Sequence, residues 1–143
     1  HYSSSSLIIN FERYFFYSVR MILFWRLRFM VIKFHKYSYI ISAFLWSVLG
    51  MLTIGSIVLS SIGWFINLGM GLFFIMIGVY LYFRGNSLHR FYSGAVDNLQ
   101  DDPKFRRFLR LDLLFVIISC VVSGAFLTGA FIRIFFEGFA VFG

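Results

Sequence analysis

Histidines, carboxylates, one thiol and a lone distal arginine are the groups here with chemical potential, and few fall at spacings that chemistry needs. His35 and His89 stand at the two ends of a long uncharged stretch, where a hairpin would bring them together. Paired imidazoles could ligate a haem iron. Haem ligands in membrane anchors usually lie within helices, however, and these two sit at helix ends among cations. Interfacial polar residues are therefore the simpler reading, and neither haem, quinone nor metal is expected. His1 carries no weight. Asp97, Asp101, Asp102 and Asp112 cluster in one polar stretch beside Lys104, Arg106 and Arg107. Adjacent carboxylates could form an acid–base pair or a cation site. Local ion pairs and a helix cap explain them with less. Cys120 is a single thiol in an apolar run, so it can build neither an internal disulfide nor a cysteine cage, and is expected to pack as a small residue. Arg133 lies within an apolar run with Glu137 four residues on. The two could pair along a helix; the Arg either snorkels to an interface or is a buried charge facing a partner, an ion or a quinone. No Gly-rich phosphate loop, nucleophile elbow or zinc-ligand spacing occurs, so no catalytic residue is assigned and no enzyme is expected.

The elements that must position these groups follow from charge. From Tyr37 to Phe83 the chain runs 47 residues without Asp, Glu, Lys or Arg. About 20 apolar residues suffice for one membrane crossing, so this run holds two. Hydrophobic residues make up 60% of the chain and charged ones 13%, about half the usual share in soluble domains. The expected fold is a single all-α integral membrane domain with three transmembrane helices, a hairpin plus one. Residues 1–36 form a basic, aromatic N-terminal surface segment, with an interfacial helix over 7–36. The first crossing covers 37–60 and the second 64–83, joined by a turn at Ser60, Ser61 and Gly63, with Asn67 and Gly69 as an alternative turn. Residues 84–112 read as an inner polar loop ending in a short helix that starts behind Asp101, Asp102 and Pro103. The third crossing covers 113–136.

Net charge is +7, and its distribution is informative. Arg13, Arg20, Arg26, Arg28, Lys33 and Lys36 precede the hairpin; Arg84, Arg90, Lys104, Arg106, Arg107 and Arg110 follow it. The hairpin tip carries none. The positive-inside rule then sets the N-terminus and the 84–112 segment in the cytoplasm, the bacterial interior or the mitochondrial matrix. Such blocks beside apolar runs fit anionic lipid headgroups or a protein partner, and nucleic acid is not expected. Arg13, Arg20 and Arg28 share one side of a helix, Arg26, Lys33 and Lys36 roughly the other, so residues 7–36 lack a single apolar face. The Ser-rich opening and the Arg-rich, acid-poor stretch after it have the composition of an organelle-targeting region, and equally of a surface tail.

Small residues at helical spacing mark where membrane helices approach closely. On the third crossing these are Cys120, Gly124 and Thr128, with Ser119 and Ser123 beside them; on the second Gly71 and Gly78; on the first Ala43, Ser47 and Gly50. A helix of this chain or a foreign one could meet the third set. The expected function is a non-catalytic accessory subunit of a multi-subunit complex, set in an energy-converting assembly (respiratory chain or ATP synthase) of the mitochondrial inner membrane, with a bacterial inner membrane second. Other membrane subunits and lipids, bound phospholipid included, are the expected partners. The alternatives are a haem- or quinone-type dehydrogenase anchor resting on His35, His89 and Arg133, and a lipid-handling, membrane-shaping protein.

Overall fold

A computed structural model describes the backbone over residues 4–59, 63–99 and 102–142, and side chains over 30–59, 63–94 and 102–142. The chain divides into two units, His1–Phe34 and His35–Gly143. The first is helical from Ser4 onward. Arg13, Arg20, Arg26 and Arg28 fall there, with side chains outside those described.

In the second unit, α1 (Ser4–Gly55 in full) ends in a 3₁₀ turn over Ser56–Leu59. It is followed by α2 (Trp64–Leu99), α3 (Pro103–Ile132) and a π turn over Arg133–Glu137. The described residues contain no strand. Among the described residues, three stretches are long and apolar enough to cross a membrane: Met30–Leu59, Trp64–Gly94 and Pro103–Glu137.

Two sequence expectations change. Residues 84–112 are not a loop, since α2 continues to Leu99 and α3 begins at Pro103. Charge alone does not stop a helix, and a run without proline can carry helical hydrogen bonding past the apolar region. α3 starts at Pro103, whose missing N–H suits the first helical turn, with the Asp102 carboxylate accepting from the Lys104 amide at 2.9 Å. Asn67 and Gly69 are not a turn either; both lie inside α2. Ser60 and Ser61 lie outside the described residues, while Gly63 has φ 86°, a left-handed geometry that glycine adopts without strain.

The α1–α2 contact is written in glycine. A Cβ on Gly50 would lie 2.6 Å from the Gly71 carbonyl oxygen. One on Gly78 would collide with Ser47 Oγ and stand 2.8 Å from the Ala43 carbonyl oxygen. One on Gly85 would lie 2.5 Å from Tyr39 Cβ. Gly71, Gly78 and Gly85 recur every seven residues, so they form one seam along α2 on which α1 lies antiparallel. On α3 the buried positions are Asp112, Val116, Ser123 and Ala130. Among the three helices the core holds Tyr39, Ala43, Trp46, Leu49, Phe74, Leu81 and Val116.

Candidate functional site: a buried polar lock

Asp112, expected among loop ion pairs, is instead the hub of the molecule. Its side chain is buried where α1, α2 and α3 meet. His35 Nε2 lies 2.5 Å from Oδ2, Tyr39 donates its hydroxyl to Oδ1 at 2.9 Å, and Arg84 Nη2 donates to Oδ1 at 3.0 Å. Arg84 also donates through Nε to Tyr39 Oη at 3.2 Å and through Nη1 to Tyr80 Oη at 3.0 Å, and its guanidinium lies 5.4 Å from the Phe115 ring centre. One carboxylate thus takes donors from two other helices, closing a ring of charge-assisted bonds. A buried carboxylate without such partners would carry a large desolvation cost.

His35 is fully buried. Its ring stands 5.0 Å from Tyr39 and edge-on to Tyr92 at 5.1 Å, with Phe105 and Phe108 closing behind Tyr92. The His35–Asp112 pair resembles a base and its orienting acid, yet Nδ1 has no hydroxyl or thiol to activate and makes no hydrogen bond at all. His89 Nδ1 and Tyr92 Oη are likewise buried and without a partner.

Farther along α1 the polar contacts continue as a seam to α3. Ser42 and Ser119 share a hydroxyl bond of 2.8 Å, Trp46 Nε1 donates to Ser119 Oγ at 3.0 Å, and Cys120 Sγ donates to the Ser38 carbonyl at 3.4 Å. Ser123 is buried and donates to the Cys120 carbonyl. Trp46, Leu49 and Phe74 then form apolar packing, with Trp46 and Phe74 rings 5.4 Å apart. A second polar knot lies beyond it. Asn67 Nδ2 donates to the Phe142 carbonyl at 2.5 Å and its Oδ1 accepts from the Phe142 amide at 2.9 Å. Ser56 Oγ accepts from the Val141 amide at 3.2 Å and lies 3.4 Å from Asn67 Oδ1. The residues after the π turn reverse at Gly138, φ 71°, and return to these two side chains.

The sequence-chosen residues divide accordingly. Ala43, Ser47, Gly50, Gly71 and Gly78 meet in the α1–α2 contact. Cys120 meets α1, but Gly124 has open space where a Cβ would point, and Thr128 is exposed with its hydroxyl on the Gly124 carbonyl. Arg133 Nε donates to the Ala140 carbonyl at 3.1 Å, and Glu137 is exposed. Lys33, Arg106, Arg107 and Arg110 are exposed and Lys36 is half-buried. Sequence reasoning missed Asp112, Arg84, Tyr39, Asn67 and Ser56 as contact-makers. Only Gly85, one heptad beyond Gly78, carried a usable signal. Among the described residues no three imidazole, thiol or carboxylate groups gather as metal ligands. The chain matches no protein family, and no curated protein or solved structure shows significant similarity to it.

Proposed function

We propose that this chain is an integral membrane protein acting as a non-catalytic accessory subunit of a larger membrane complex. The observation that carries the reading is an inverted distribution of polarity. Phe44, Phe73, Phe83, Ile118, Val121 and Phe126 point outward, while His35, Ser42, Thr53, Asn67, Asp112 and Ser123 are buried. Water would penalise such a surface; hydrocarbon would not, and it would drive hydroxyls and charges inward. At 1.5 Å per residue α2 is about 54 Å long against about 30 Å of hydrocarbon, so its charged end beyond Phe83 projects into headgroups and water. The basic residues at that end favour the cytoplasmic or matrix side.

The accessory role rests on what the polar groups do. They tie helices together, and apolar side chains separate the Asp112 cluster from the Asn67 knot. A path for protons or ions through the bundle would need the two joined. On α3, Gly124, Ala125, Thr128 and Gly129 leave a shallow exposed face of the kind a neighbouring helix fills. An energy-converting complex of the mitochondrial inner membrane is the preferred setting, a bacterial inner membrane the second. Native mass spectrometry of the protein extracted gently from its own membrane tests the reading. Co-purification with other subunits in fixed ratio is expected; a chain that is monomeric and stable alone would sink it.

A further inference from the structure

Beside the C-terminal end of α3 runs an open groove of about 380 Å³. Ala125, Gly129 and Ala130, with little or no side chain, line it together with the rings of Phe126 and Phe142. Both rings are backed by the core, Phe126 at 6.5 Å from Trp46 and Phe142 at 6.3 Å from Phe74. Asn67 also grips the Phe142 backbone through its amide and carbonyl. The groove is therefore set before anything enters it. Arg133 is the charged member of the lining, its Nε donating to the Ala140 carbonyl at 3.1 Å. It stands 21 residues beyond Asp112 on one helix, which at 1.5 Å each is about 31 Å, the thickness of the hydrocarbon layer. With Arg84 and Asp112 at the inner headgroup level, the Arg133 guanidinium reaches the outer one.

Resting on the membrane reading above, we propose that this groove binds one phospholipid, its phosphate on Arg133 and one acyl chain along Ala125, Gly129 and Ala130. A guanidinium presents its donors in a fixed fork matched to phosphate oxygens. Glu137 is exposed one turn on and offsets the charge, so a zwitterionic headgroup fits better than an anionic one. Volume decides against a helix as the occupant. A helix about 10 Å across fills about 850 Å³ over two turns, roughly twice what the groove offers. By helical spacing, Gly124 and Thr128 lie roughly 150° round α3 from the groove. That flank remains for a neighbouring helix, with the lipid at its edge.

The test uses the full chain in mild detergent, delipidated and titrated with dioleoyl phosphatidylcholine, with bound lipid counted per chain by native mass spectrometry. One tightly held lipid is expected. Phosphatidylglycerol should bind no tighter, and diacylglycerol, which has the chains without the phosphate, at least tenfold more weakly. Arg133→Gln should erase the preference for phospholipid over diacylglycerol. Gly129→Leu fills the groove at a position where a Cβ meets open space, so it should abolish the tight site without lowering the melting temperature of the delipidated chain. Gly94→Leu, equally open but at the other end of α2, should leave binding unchanged. Binding indifferent to Gly129→Leu, or diacylglycerol held as tightly as the phospholipid, would mean annular lipid only and overturn the proposal. A cross-link from Gly129→Cys to a foreign subunit in the native membrane would overturn it too, by seating protein in the groove. A chain that keeps this lipid yet travels alone supports the site and removes the accessory role, so the two readings fail separately.

Discussion

Asp112 is the buried charge on which three donors from two other helices converge, all ending on its two oxygens. Its replacement by Ala strands all three at once. Removing one member of a buried pair typically costs about 3–5 kcal/mol, and Asp112→Ala is expected near that range. Arg84→Ala should cost less, since that side chain is about one third exposed and partly solvated already. Thermal melting in detergent, followed by tryptophan fluorescence, gives the order; Arg84→Ala melting below Asp112→Ala would refute the hub assignment. The Ser42–Ser119 bond is a smaller quantity. Membrane hydroxyl bonds average about 0.6 kcal/mol, so Ser119→Ala should shift the melt only slightly despite also losing the Trp46 contact.

At the scale of elements, glycines on α2 differ in what surrounds them. Gly78 faces backbone and a short side chain that cannot retreat, whereas Gly69 on the same helix has open space. Gly78→Val should therefore loosen the α1–α2 pair by at least the 1–3 kcal/mol of an overpacked core, and Gly69→Val should be close to neutral. Cross-linking between cysteines placed on α1 and α2 reads the difference. Equal losses for both substitutions would mean helix propensity, not packing, sets the effect. The tail offers a second check. Asn67→Ala removes both bonds to the Phe142 backbone, and amide exchange at Phe142 should rise while exchange in mid-α3 stays unchanged.

How far the sequence foretold these elements depends on distance along the chain. The apolar runs, the glycine heptad and the Asp102–Pro103 helix start are local patterns, and local patterns can be read. By sequence Asp112 reads as a loop acid, because its immediate neighbours, Arg110 and Leu111, say nothing about burial. Its partners lie 28, 73 and 77 residues away. Asn67 reads as a turn former for the same reason, since its partner in the tail is 75 residues distant. A single sequence carries no mark of a bond that only tertiary structure creates.

For the whole molecule the accessory role gives a separable expectation. A Cβ at Gly124 meets open space, so Gly124→Leu should not destabilise the isolated protein and should raise its stability by up to about 1 kcal/mol through helix propensity. If α3 meets a neighbouring subunit there, the same change should diminish co-purification from the native membrane. Retained partners would move the contact to another face of the molecule.

The seven-residue glycine spacing has one more effect. A seam that repeats is indifferent to slippage: sliding α2 by one heptad along α1 would again place glycine against small residues, about 10.5 Å away. Glycine permits closeness but does not say where to stop. The stops are the two polar anchors, Asn67 with Ser56 and Arg84 with Tyr39. A slip in one direction would carry Asn67 opposite Leu49 and Arg84 opposite Ile32; in the other, Arg84 would face Trp46. Either leaves a charge or an amide against hydrocarbon. The bundle thus works as a ratchet with one admissible notch, its smooth track made by glycine and its pawls by four polar side chains.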